Sequence, residues 1–146
     1  MSTIPALNGQ VIGHAHYATR ALLERATAPL GVEFNQVLAL NVLANGPAER
    51  AHLTHRITST LKVDEQEVQR VLATLVDANL AQADDDAPRL RLTDAGHAVQ
   101  ARIADAVADI SARLYADIPT DEASAAARAL TVVTQRANAE LAATPT

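Results

Sequence analysis

Gln66, Gln69 and Arg70 lie within five consecutive positions of the 146-residue chain, and all three have base-reading chemistry. A glutamine amide pairs bidentately with adenine and a guanidinium with guanine, each good pair giving about 1–3 kcal/mol of discrimination. Arg89 and Arg91 alternate about Leu90. On a strand both point to one face, with Leu90 and Leu92 on the other. Two arginines so placed suit phosphates or a minor groove. Arg56 completes the candidate nucleic-acid contacts; for Arg70 and Arg89 the plain alternative is a solvated surface role.

Other chemistry is thin. His14 and His16 are two apart and face different sides of a helix, while His52 and His55, three apart, share a face without an evident third ligand. No metal is expected. Asp84-Asp85-Asp86 lacks the alternating acid and glycine pattern of a calcium loop, and reads as a solvated turn. There is no Gly-x-Ser-x-Gly elbow, glycine-rich phosphate loop or HExxH pair, so neither enzymatic activity nor a cofactor is expected.

These side chains need elements to hold them, and helical periodicity dominates. Val11, Ala15, Ala18, Leu22 and Ala26 predict an amphipathic helix over about 10–28, broken by Pro29-Leu30-Gly31. A second helix, about 33–44, is apolar nearly all round and should be buried. A third, about 48–61, stacks Leu53, Ile57 and Leu61. Asp64 then reads as an N-cap, with Glu67 at capping-box spacing, for a helix burying Val68, Val71, Leu72 and Leu75; Asn79 suits a left-handed end. Leu80–Ala83 and Arg89–Leu92 predict a hairpin about the Asp84–Pro88 turn. Thr93 caps the longest helix, about 94–117, with the stripe Val99, Ile103, Val107, Ile110 and Leu114. After Pro119, Thr120 or Asp121 caps a last helix carrying Ala126, Leu130, Val133, Ala137 and Leu141.

Composition bounds the function. Apolar residues are 49% and charged residues 20%, enough for a core and against general disorder. Cysteine is absent, which removes disulfides and thiolate chemistry, and aromatic residues are only 2%, too few for stacking platforms on single strands. No stretch approaches the roughly 18 apolar residues of a membrane span. Met1–Gly9 has no basic run followed by an apolar one, so no signal peptide is read and a cytoplasmic location is expected.

Two short helices with a tight link, followed by a two-stranded ribbon, make the plan of a winged helix-turn-helix. The fold class expected is mainly α with a small β-hairpin wing, flanked by N- and C-terminal dimerisation helices whose apolar stripes a second copy would cover. Three stretches resemble the MarR family of bacterial transcriptional regulators. They are Pro29-Leu30-Gly31-Val32, Leu61-Lys62-Val63-Asp64 through Asn79-Leu80, and Leu92-Thr93-Asp94-Ala95-Gly96, and the element order agrees over about 10–141. The resemblance implies one domain over 1–146, with dimerisation helices at about 10–28 and 94–142 and the winged lobe at about 33–93. It implies a homodimer that puts a recognition helix in the major groove and a wing in the minor groove of double-stranded DNA. It further implies a repressor, released from a near-palindromic operator by a small aromatic or phenolic ligand. His14 and Tyr17, three apart on the first helix, with Phe34 on the second, are the candidate ligand residues; their alternative is packing at the dimer interface.

The sequence departs from the family at the recognition-helix start, Glu65-Gln66-Glu67, and in a short wing led by three aspartates. From Gly46 to Gly96 the basic residues are Arg50, Arg56, Lys62, Arg70, Arg89 and Arg91. Glu49, Asp64, Glu65, Glu67, Asp77, Asp84, Asp85, Asp86 and Asp94 oppose them, so this segment carries −3 of the chain's net −5. Glu65 and Glu67 stabilise the first helical turn by roughly 0.3–1 kcal/mol each through its dipole, yet repel phosphates. Weak or unusually salt-sensitive DNA binding is therefore expected. The alternative is a dimeric small-molecule sensor or interaction module that keeps the fold without strong DNA binding.

Overall fold

The computed structural model describes residues 4–84 and 88–143, so Asp85, Asp86 and Ala87 of the expected turn lie outside the described residues. The chain divides into two compact units, residues 1–110 and 111–146.

In the first unit, α1 runs Gly9–Thr27, capped by Asn8, whose Oδ1 accepts from the Val11 N–H at 2.9 Å. A 3₁₀ turn at Ala28–Leu30 follows, and Gly31 adopts the left-handed conformation with φ 72°. α2, Phe34–Ala44, buries Gln36, Val37, Ala39, Leu40 and Leu43, in keeping with its apolar character. The buried Gln36 is well used. Its Oε1 accepts from the Glu33 N–H at 2.8 Å, and its Nε2 donates to Thr74 Oγ1 at 2.8 Å.

The third helix starts two residues later than its periodicity suggests. Ala48–Glu49 form a strand, β1, and α3 is Arg50–Leu61. β1 pairs antiparallel with β3, Arg89–Leu92, as Ala48↔Leu90 and Glu49↔Arg89. β2, Ala81–Ala83, pairs on the other side of β3 as Ala81↔Leu92, Gln82↔Arg91 and Ala83↔Leu90. The expected hairpin is thus part of a three-stranded sheet in the order β1-β3-β2. Two residues are too few to show alternation, and their strand conformation is set by the β3 edge beside them.

α3 ends at Lys62, which is left-handed with φ 58°. α4 is Glu65–Asp77, and Asp64 caps it by accepting from the Glu67 N–H at 2.8 Å. The reciprocal half of the expected capping box is absent, because the Glu67 carboxylate turns towards Arg70 instead. At the far end Asn79 is left-handed, φ 62°. The Leu80 N–H returns to Leu75 O and the Asn79 N–H to Val76 O, both at 2.9 Å, a Schellman arrangement.

α5 spans Asp94–Leu114, three residues shorter than expected, and Thr93 Oγ1 caps it by accepting from the Gly96 N–H at 3.0 Å. Leu40, Leu43, Leu53, Ile57, Val68, Val71, Leu72, Leu75, Leu90, Leu92 and Ile103 form the buried centre of the unit. Burying each such side chain contributes about 1.5–3 kcal/mol. α4 is therefore anchored through one apolar face, and its polar residues stand outward.

In the second unit, α6, Thr120–Ala142, is the longest helix, displacing α5 from that place. Its N-cap is Pro119 rather than Thr120 or Asp121. Asp121 and Glu122 lie in the first turn, where they favour the helix dipole.

Candidate nucleic-acid interface

α3 and α4 with the link Lys62–Asp64 form the helix pair, and β2 and β3 form the ribbon beside it. Along β3 Arg89 and Arg91 are exposed while Leu90 and Leu92 are buried, as the alternation predicts. Asp84 lies by both arginines: its Oδ2 is 3.8 Å from Arg89 Nε and its Oδ1 3.3 Å from Arg91 Nε. Gln82, with its amide oxygen turned towards β3, also accepts from Arg91 Nη2 at 2.9 Å. One of the wing's aspartates thus neutralises part of the charge that the wing presents.

On α4, Gln66 is exposed and makes no side-chain hydrogen bond among the described residues. Gln69 is partly engaged: its Nε2 donates to Thr54 Oγ1 at 3.3 Å, and its Oε1 accepts from Arg50 Nη1 at 3.4 Å. These bonds fix α4 against α3. A cleft of about 480 Å³ opens at this junction, lined by residues that include Arg50, Thr54, His55, Glu65 and Gln69.

Arg70 is the most constrained of the candidates. Its Nη2 lies 2.6 Å from Glu67 Oε1 and 2.9 Å from Glu33 Oε2, and its Nε donates to both Glu67 oxygens at 3.1 Å. The Glu67 hydrogen bond, then that of Glu33, raises the guanidinium pKa above its ordinary value. Conversely, the Arg70 hydrogen bond lowers the Glu67 carboxyl pKa; partial burial opposes this, and Asn35 assists by donating from Nδ2 at 3.4 Å. Glu67 and Arg70 are three apart on one helix, so that half of the cluster is written in the sequence. Glu33, 37 positions away, has no sequence signal that places it there.

Arg56 is exposed on α3, makes no ion pair among the described residues, and borders a cleft of about 500 Å³ with His52, Asn45 and Pro47. The six candidates therefore share the first unit, but among the described residues only Arg56 and Gln66 are unengaged. Among the described residues no group of three or more His, Cys, Asp or Glu is placed to hold a metal, and no helix is long and apolar enough to cross a membrane.

The candidate ligand residues are only partly brought together. His14 and Tyr17 are exposed, and the groups against Phe34 are instead His16, edge-on with centroids 6.2 Å apart, and Arg20, whose Cζ stands 4.2 Å from the ring centroid. Tyr17 meets the His16 ring at 5.5 Å. The face of α1 that meets Phe34 is thus the one bearing His16 and Arg20, four apart.

The helix pair and the ribbon beside it have counterparts among solved structures that the chain matches over most of its length. A Mycobacterium tuberculosis MarR family protein in complex with DNA superposes with a TM-score of 0.66 at 22% identity, over 88% of this chain and 98% of that one. The chain has the MarR winged-helix fold. MarR from E. coli in its reduced form gives 0.66 at 21% identity, over 90% and 95% of the two chains. A MarR family regulator from Rhodococcus sp. RHA1 gives 0.71 at 13% identity, over 86% and 92%. The M. tuberculosis protein also has a structure in complex with salicylic acid, which matches at 23% identity and a TM-score of 0.64. No protein-family model matches the chain, and no curated protein matches it.

Proposed function

We propose that the chain is a MarR-type, DNA-binding transcriptional regulator, acting in the cytoplasm as a homodimeric repressor of a near-palindromic operator. Residues 1–146 then serve as one protomer, with α1, α5 and α6 supplying the dimer contacts. The carrying observation is the outward presentation of α4. Val68, Val71, Leu72 and Leu75 are buried, so Gln66, Gln69 and Arg70 are left on the solvent side, next to a ribbon with Arg89 and Arg91 on one exposed face. In this reading Gln66, Gln69 and Arg70 meet base edges, Arg89 and Arg91 follow the wing to the minor groove, and Arg56 meets phosphate. Similarity to the DNA-bound M. tuberculosis protein supports the same role.

Release by a small aromatic or phenolic ligand is the second part of the proposal. Such a ligand lowers operator affinity by the ratio of its affinities for the two arrangements of the reading heads. The salicylic acid complex of the M. tuberculosis protein supports this ligand class, and His14, Tyr17 and Phe34 remain the proposed contacts, beside His16 and Arg20.

The test is titration of the protein onto duplex DNA flanking its own gene at several salt concentrations. Specific binding should weaken with salt in proportion to the phosphates neutralised, about 0.9 in log–log slope for each. Binding that is weak and indifferent to sequence even at low salt would overturn the regulator. It would favour the second reading, a dimeric sensor or interaction module. What speaks for that reading is that Arg70, Arg89 and Arg91 are all met by the chain's own carboxylates.

A further inference from the structure

α2 and its N-cap Glu33 are joined to α4 by three polar contacts, Asn35 Nδ2 to Glu67 Oε1 at 3.4 Å among them. Glu33 Oε2 meets Arg70 Nη2 at 2.9 Å, and Gln36 Nε2 meets Thr74 Oγ1 at 2.8 Å. The last two, three apart between the N-cap Glu33 and Gln36 and four apart on α4, are successive steps of one seam. Gln36 also grips the Glu33 backbone N–H through Oε1. Glu33 is therefore seated over α4 by a buried glutamine rather than left to wander as a loop carboxylate.

The consequence falls on the donors of Arg70. A guanidinium has five N–H groups in a fixed fork. Glu67 takes the Nε hydrogen and one on Nη2, and Glu33 takes the other on Nη2. Among the described residues only the two hydrogens on Nη1 stay free. A bidentate pair with guanine draws on two different nitrogens, so Arg70 cannot form one while both carboxylates stay in place. Two carboxylates around one guanidinium also leave the cluster at −1, and its side chains are 29–57% exposed on the face that would approach phosphates.

Resting on the regulator reading, we propose that Glu33 sets DNA affinity: with Glu67 it withholds Arg70, and duplex binding exchanges these carboxylates for DNA. Affinity is thereby governed by the residue that caps α2, outside both helices of the reading pair. Each exposed ion pair is individually weak, so the exchange is within reach of a base contact.

The test compares the full-length chain with Glu33→Gln, with Glu33→Gln plus Glu67→Gln, and with the same pair carrying Arg70→Ala. All are titrated onto duplex DNA from the flank of the protein's own gene at low and near-physiological salt. Glutamine keeps the side-chain length and one acceptor oxygen while removing charge, a small change at these solvent-reached positions. Glu33→Gln should tighten binding several-fold and the pair on the order of tenfold. Arg70→Ala should cancel the gain. Specific binding by the unmodified chain that tightens in the Gln variants supports both the regulator and the withheld arginine; specific binding that appears only in the Gln pair supports the withheld arginine and overturns the regulator. Specific binding by the unmodified chain that the Gln variants leave equal or weaker overturns the inference alone. A gain that survives Arg70→Ala overturns it too, since the carboxylates then act as bulk charge. No specific binding by any of these proteins overturns the regulator and the inference together.

Discussion

Gly96 passes the backbone of Leu80 so closely that a Cβ would overlap the Leu80 carbonyl oxygen and stand 3.0 Å from its carbonyl carbon. The same carbonyl accepts from the Thr93 N–H at 3.0 Å, and Thr93 Oγ1 donates to Asn79 O at 2.7 Å. The stretch Leu92-Thr93-Asp94-Ala95-Gly96 is thus a joint. Leu92 fills the core, Thr93 caps α5 and ties it to the end of α4, and Gly96 lets the first turn of α5 lie on the chain entering β2.

Gly96→Ala should accordingly destabilise the fold by about 3 kcal/mol, because the obstacle is backbone rather than a movable side chain. Denaturant unfolding measures this directly. A midpoint shift near zero would show that α5 can move away from Leu80 at little cost.

Gln36 and Thr74 supply a second stability test. Thr74→Val keeps the volume but leaves the buried Gln36 amide, 5% exposed, without its acceptor. A loss of roughly 1–3 kcal/mol is expected. Gln36→Leu combined with Thr74→Val should lose less than the sum of the single changes, since both partners are then apolar. A strictly additive double-mutant cycle would contradict the coupling.

Much of this joint and seam is legible in the sequence, and the reason is locality. Thr93 as a cap, Asn79 as a left-handed end, the Arg89/Arg91 face and the buried face of α4 all follow from spacings of a few residues. What escaped depends on partners far along the chain. Ala48–Glu49 become a strand only because β3 runs beside them, and Glu33 reaches Arg70 only because Gln36 docks α2 on α4. Glu67 has capping-box spacing, and the competition between the Asp64 N–H and a guanidinium is decided in favour of the ion pair. The face of α1 that meets Phe34 was equally hidden: His14 and Tyr17 are the right types, but helical phase relative to α2 selects His16 and Arg20.

Acidification should weaken the α4 region through Glu67. Arg70 holds the Glu67 carboxyl below its ordinary pKa. A depressed folded-state pKa contributes stability above the ordinary carboxylate value, and this contribution is lost as pH falls through the depressed value. Denaturant midpoints should therefore fall more steeply below about pH 4 for the unmodified chain than for Glu67→Gln. The difference should be small because the pair is water-screened. Parallel curves would mean that the ion pair does not persist in solution.

α6 makes the final prediction. Among its 23 residues none is buried, yet Leu130, Val132, Val133 and Leu141 are 41%, 40%, 39% and 69% exposed. A helix that leaves so many large apolar side chains to water is suited to a partner, and the proposed homodimer supplies one. Covering a leucine contributes about 1.5–3 kcal/mol, and a two-fold interface uses each position twice. Leu130→Asp should thus weaken self-association at least about 100-fold, a factor equivalent to roughly 2.8 kcal/mol. Light scattering across a dilution series should give twice the chain mass for the unmodified protein, and monomer or aggregate for the variant. A folded monomer as the form of the unmodified chain at micromolar concentration would overturn the dimer. It would also remove the two-fold match to a near-palindromic operator, since a single reading head meets only one half-site.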